Sequence, residues 1–291
     1  MKKLISLFLS VSVLLLAACS KQPDTASSEQ KNDAAGLQTV VIASTGSDAD
    51  IWRHIASLPE TKAAGIKLEV KNFTDYVAMN TAVANKEVDL NAFQSYAYLV
   101  AFNAANKDKI APVSTTYLEP MGIYSNKVKK VEEFAQGATI AIPNDGANES
   151  RALLLLQSAG LIKLKPDFDP VKGTPADIIE NSKKIVIKPI QMATAVRVKD
   201  EVDAILLGNT LAMEGGLNVL KDAIYYEPID QSTKLNVNVL ATAESRKDDA
   251  VLQKVGALYH TEAVKKYVQE HFAGTKVDVN KPTSYLTEAN P

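Results

Sequence analysis

The chain has 291 residues, 46% of them hydrophobic and 23% charged, which is enough material for two folded lobes with separate cores. Its formal charge is −2; Lys2 and Lys3 are the only charges ahead of Cys19, so the part beyond Ala18 holds 30 basic and 34 acidic residues, net −4. A surface of that sign has no general hold on a phosphate backbone, which argues against nucleic acid as a partner.

Met1-Lys2-Lys3 is a positive start, Leu4 to Leu16 is apolar, and Leu16-Ala17-Ala18-Cys19 leads small residues into the only cysteine of the chain. This pattern predicts a secretory signal peptide over residues 1–18, with an apolar run too short for a comfortable membrane span. A single cysteine forms no internal disulfide and fits an attachment point instead. The run LAAC resembles the lipobox of bacterial lipoproteins, in which the thiol is lipidated and cleavage leaves the cysteine as the new N-terminus; the other reading is an ordinary signal peptide with an incidental cysteine. Each buried acyl CH₂ contributes about 0.8 kcal/mol and stable anchoring needs more than one chain, a condition met by the diacylglyceryl group that the resemblance implies. Ser20 to Leu37 is polar and predicts a flexible leash, whose eighteen residues reach roughly 20–25 Å as a coil.

Thr39 to Ala43 (TVVIA) predicts a buried strand that runs through Ser44–Ser47 into a helix with Ser47 as its cap and Ile51, Trp52, Ile55 and Ala56 on its apolar face. Ile66 to Val70 alternates as a second strand and ends at Asn72 to Tyr76. A helix over Ala78 to Ala84, a short strand at Val88 to Leu90 and a helix from Tyr96 to Asn106 follow. Strands alternating with helices predict right-handed βαβ units and a mostly parallel sheet. Ligands bind beyond the carboxyl ends of strands in such sheets, which places Ser44–Ser47, Phe73–Tyr76 and Asn91–Tyr98 at a candidate site.

Near Tyr117 to Gly122 the chain is expected to cross into a second lobe. There Thr139 to Ile142 predicts a strand, Pro143 to Asn148 a loop, and the run from Glu149 onward a helix capped by Asn148. That geometry points backbone N–H groups outward and attracts anions. Arg151 in the first helical turn is unfavourable beside the positive end of the macrodipole unless a bound carboxylate compensates it; a surface arginine or a partner for Glu149 is the alternative. Further on come a strand at Lys184 to Ile187, a helix at Met192 to Val198, a strand at Val202 to Leu207 ending near Asn209, and a strand at Asn236 to Leu240 leading back to the first lobe. The tail from Asp248 to Phe272 reads as helical with a core-facing apolar set.

His54, His260 and His271 lie in no metal-ligand cluster, so neither a metal nor another cofactor is expected. No GxSxG, Walker A or GxGxxG run is present. Asp145 and Glu149 could be an acid/base pair only without a nucleophile, and no enzyme activity is expected.

FTDYV at Phe73–Val77, VDLNAFQ at Val88–Gln94, IPNDGANESRALLLLQSAGLIKL at Ile142–Leu164 and the later GNT and VNV segments resemble the MetQ/NlpA family of methionine-binding lipoproteins, over Thr39 to about Phe272. The resemblance implies an α/β, bilobed periplasmic-binding-protein fold, with two α/β domains joined by two crossing strands and a ligand cleft between them. The expected division is 38–120 with 237–291 as one lobe and 121–236 as the other. It implies a substrate-binding subunit of an ABC importer that delivers methionine to a membrane permease while anchored to the bilayer through Cys19. By motif, Arg151 takes the ligand carboxylate as a bidentate donor, Asn209 and Asn238 hold its amino and carboxylate groups, Tyr76, Phe93 and Tyr98 line a thioether pocket, and Asn148 and Ser95 complete the site; core packing is the other reading of each aromatic. Ser95 stands where many family members have histidine, and Glu119 where an aromatic is common. These departures leave L-methionine, D-methionine, a methionine derivative or dipeptide, or another small amino acid as ligands. A surface lipoprotein for adhesion or assembly is the reading of a different class.

Overall fold

The computed structural model describes residues 36–229 and 231–288, so the expected signal peptide, the lipidation site Cys19 and the leash as far as Ala35 lie outside the described residues. Two five-stranded sheets carry the fold. The first has the order Ile66–Asn72, Gln38–Ser44, Leu90–Ser95, Asn238–Ala243, Ile110–Thr115. The second runs Val186–Ile190, Thr139–Pro143, Ala204–Gly208, Met121–Tyr124, Tyr225–Tyr226.

In each sheet four of the five strands run the same way, as the alternation of strands and helices had suggested, and one runs against them. In the first, Asn238–Ala243 pairs antiparallel with both of its neighbours. In the second, Met121–Tyr124 is the reversed strand, pairing antiparallel with Ala204–Gly208 on one side and with Tyr225–Tyr226 on the other. The cause is the exchange of chain between the sheets: a strand arriving from the other lobe enters without a local crossover helix, and nothing then imposes parallel direction. Every residue of Asn238–Ala243 is buried, as a strand covered on both faces requires. Leu240 packs with Ile42, Trp52 and Leu252 on one face, while Val239 and Ala241 pack with Met79, Leu99 and Phe102 on the other. Separate clusters around Ile140, Leu153 and Leu206, and around Ile205 and Leu207, flank the second sheet.

Local elements differ from expectation where polar groups found distant partners. The strand placed at Val88 to Leu90 is Leu90–Ser95, so Asn91 to Ser95 is not a loop. Its polar side chains are tolerated because Asn80 bonds both, Asn91 Nδ2 to Asn80 Oδ1 at 2.8 Å and Asn80 Nδ2 to Gln94 Oε1 at 2.9 Å. The helix after Thr139–Pro143 is Gly146–Ser158, and its cap is Asp145, which accepts the Asn148 amide at 3.1 Å. Asn148 is therefore inside the first turn and Arg151 is in the second, away from the positive end of the dipole. Thr45, and not Ser47, occupies the cap position of Gly46–Ser57. Met192–Val198 is a 3₁₀ segment, and the strand before it is Val186–Ile190. The helical tail is two helices, Ala250–Tyr259 and Glu262–Phe272. At the break the His260 ring bonds Asp278 at 2.6 Å and the Thr115 carbonyl at 2.9 Å.

Candidate functional site

A cavity of about 60 Å³ collects side chains from both sheets. Tyr76, Phe93, Ser95 and Tyr98 reach it from the first sheet and its helices; Asn148 and Arg151 reach it from Gly146–Ser158; Asn238 lies at the start of the returning strand. Asn209 is fully buried behind Gly208 and Thr210, which themselves face the cavity.

Three rings form one wall. Tyr76 and Phe93 have centroids 5.1 Å apart, Phe93 and Tyr98 meet edge-on at 5.7 Å, and Tyr76 and Tyr98 edge-on at 6.3 Å. The Ser95 hydroxyl fixes this wall by capping Tyr96–Ala105, accepting the Tyr98 amide at 3.2 Å. Burial pushes the Tyr76 and Tyr98 phenols well up, so both remain protonated donors at neutral pH.

Opposite the rings, Arg151 is 8% exposed. It is neither a surface arginine nor a partner of Glu149: its Nε donates to Glu227 Oε1 at 2.8 Å, and its Nη2 to Glu227 Oε2 at 2.5 Å and to the Glu119 carbonyl at 2.8 Å. Burial disfavours the guanidinium charge, but Glu227 outweighs it and the pKa is raised. The edge of the guanidinium formed by Nε and Nη2 is thus occupied by Glu227. Nη1 makes no hydrogen bond to the described residues, nor does the Asn238 side-chain amide.

A second ionic group lies beside the first. The buried Lys276 Nζ donates to Asp48 Oδ1 at 2.9 Å, Glu119 Oε2 at 2.8 Å and Thr210 Oγ1 at 2.7 Å. Glu119 Oε2 also accepts from Asn209 Nδ2 at 3.1 Å, and Asp48 Oδ1 from the Tyr117 hydroxyl at 2.6 Å. Burial pushes the Asp48 carboxyl above its usual range despite the attraction of Lys276. For Glu119 burial acts the same way but is outweighed by Lys276 and by the Asn209 and Thr210 donors, leaving it lowered. Lys276 is held charged by the two carboxylates against the effect of burial. Sequence reasoning singled out Glu119 only as a departure and missed Asp48, Glu227 and Lys276, which carry no local signal. Among the described residues no group of three or more His, Cys, Asp or Glu side chains is arranged to hold a metal.

Two α/β lobes exchanging strands around a cavity, with an aromatic wall on one side and a buried guanidinium on the other, define a bilobed substrate-binding protein. The chain has the site of a binding protein and is not an enzyme. It belongs to the NlpA lipoprotein family, whose sequence model matches residues 40–280. It is 34% identical to a probable D-methionine-binding lipoprotein MetQ of Pasteurella multocida over 94% of this chain and 96% of that one. Among solved structures it is similar to a nutrient binding protein from Burkholderia cenocepacia bound to methionine, at 34% identity and TM-score 0.76, covering 82% of this chain and 99% of that one. It is also similar to the substrate binding protein of a methionine transporter from Streptococcus pneumoniae, at 38% identity and TM-score 0.75, covering 83% and 95%.

Proposed function

We propose that this chain captures methionine or a close relative between its lobes and delivers it to the membrane permease of an ABC importer, tethered to the bilayer by a lipidated Cys19. The observation that carries the reading is that the Tyr76, Phe93 and Tyr98 rings line one cavity together with Arg151 and Asn238. A polarizable thioether gains from contact with aromatic rings, and a carboxylate at the far end meets donors that have no acceptor among the described residues. L-methionine is the favoured ligand, and Ser95, less bulky than a histidine, leaves room for its D-form, a derivative or dipeptide, or another small amino acid. In this reading the lobes comprise 38–120 with 237–291, and 121–236, and close by hinging at the two crossings. The names of the relatives, methionine-binding lipoproteins and a methionine transporter's binding protein, support the same assignment.

A thermal-shift panel of the amino acids, D-methionine and methionine dipeptides tests this. A ligand at a hundredfold excess over Kd adds about 2.7 kcal/mol of stability. Methionine is expected to give the largest shift. A flat panel would instead favour an adhesion or assembly role, and consumption of one compound would indicate an enzyme.

A further inference from the structure

We infer that the second sheet carries an anion site at its end remote from the aromatic-walled cavity, built around Lys129, Lys199 and Lys221 and suited to a phosphate ester. The site is independent of the ligand that the aromatic-walled cavity takes.

A second cavity, of about 440 Å³, lies within the size range of small-molecule sites. Strand pairing fixes its place. Gly208, opposite Met121, lines the aromatic-walled cavity, whereas Tyr124, opposite Ile205, lines this one. Three residues of strand, roughly 10 Å, separate the two ends.

The chain beyond Ala18 carries net −4, yet this wall holds three cations, Lys129, Lys199 and Lys221, against the single acid Asp222. None of the three ammonium groups pairs with a carboxylate or donates a hydrogen bond to a described residue, while Lys127, close by in the chain, pairs with Asp203 at 3.1 Å. The acids of these segments are engaged elsewhere: Asp203 also accepts the Thr139 amide at 2.7 Å, Asp200 the Asn126 side chain, Glu133 the Lys129 backbone amide at 2.8 Å and Asp222 the Asn218 amide at 2.6 Å. Like charges around one concavity raise its potential and attract an anion. Tyr124, 1% exposed, adds to the wall a residue whose hydroxyl has no hydrogen-bond partner among the described residues.

Lysine ammonium groups are point charges without planar geometry, so the site selects for charge more than for shape. Leu217, Ala223 and Ile224 also line it, which suits an anion that carries carbon, an ester and not a bare ion. Such esters reach a chain tethered as proposed above from two sources, the headgroup of an anionic phospholipid and a soluble phosphomonoester.

Calorimetric titration of the purified full-length protein at low ionic strength, with glycerol phosphate, glycerophosphoglycerol and zwitterionic glycerophosphocholine as probes, tests the site and its source. At least one of the two anions is expected to bind about tenfold or more tighter than the zwitterion, and to weaken as salt is raised. Replacing the three lysines together, by Lys129→Gln, Lys199→Gln and Lys221→Gln, should bring the anions down to the level of the zwitterion, with the urea midpoint unchanged or raised as mutual repulsion is relieved. Each single change should weaken them about two- to fivefold, which keeps the test available if the triple variant unfolds. Asp222→Asn keeps an acceptor for the Asn218 amide and should tighten them about twofold or more. Glycerophosphoglycerol within about tenfold of glycerol phosphate assigns the site to lipid headgroups, and a larger preference for the monoester assigns it to soluble phosphate. If neither anion outbinds the zwitterion, or if the folded lysine variants bind like wild type, the anion site falls and methionine capture is untouched.

Discussion

Replacing Arg151 by methionine tests whether the guanidinium is committed to Glu227. Both residues are buried, at 8% and 7% exposure, and are joined by bonds of 2.5 to 3.1 Å. Arg151→Met keeps an unbranched chain but strands the Glu227 carboxylate, whose remaining strong donor is the Met121 amide at 2.8 Å; the expected loss is about 3–5 kcal/mol. Glu227→Gln retains an acceptor for that amide and removes the charge, at roughly 1.5–3 kcal/mol. The double variant buries no unpaired charge, so it should be more stable than Arg151→Met alone, with a coupling of about 2 kcal/mol. Urea unfolding of the ligand-free protein at neutral pH measures all four corners of the cycle. Additivity to within about 0.5 kcal/mol, or a loss under about 1 kcal/mol for Arg151→Met, would refute the pairing. Binding should move the other way: Glu227→Gln frees an edge of the guanidinium, so L-methionine is expected to bind at least as tightly despite the lower stability.

Asn238→Ala removes a side-chain amide that has no partner among the described residues, and calorimetry should show methionine binding weakened by about 1–3 kcal/mol with little change in unfolding; equal affinity would remove Asn238 from the site. Gly46 has φ +46°, and a Cβ there would lie 1.6 Å from Glu214 Oε1, so Gly46→Ala should cost about 2 kcal/mol or more from left-handed strain and displacement of that carboxylate; a urea midpoint equal to wild type would contradict this. Asp249 caps Ala250–Tyr259 and pairs with Arg246 at 2.9 Å. Burial alone would raise its pKa, but Arg246 and the Val251 and Leu252 amides prevail and lower it from the usual 3.8. Its contribution is therefore fully present above that value and is lost as pH falls through the lower folded one. The melting-temperature gap between wild type and Asp249→Ala should correspond to about 1 kcal/mol at neutral pH and close in acid; a gap that widens in acid is the contrary result.

Much of this protein is written in short stretches of sequence. The buried run TVVIA, the Thr139–Pro143 strand with its following helix, and the βα alternation establish an α/β chain with two sheets, and ordered segments such as FTDYV and VDLNAFQ mark the family and place Tyr76, Phe93 and Arg151 at a cleft. Those features depend on propensity, periodicity and turn chemistry, which act over a few residues. The partners of the charges do not. Arg151 meets Glu227 across 76 positions and Lys276 meets Asp48 across 228. The extended Asn91–Ser95 segment and the break at His260 depend on Asn80, Asp278 and Thr115 in the same way. Only the folded chain decides which polar group closes over which, because the cost of leaving a buried charge unpaired arises after water has been excluded, and by then the neighbours are set by the packing of two sheets and not by order along the chain.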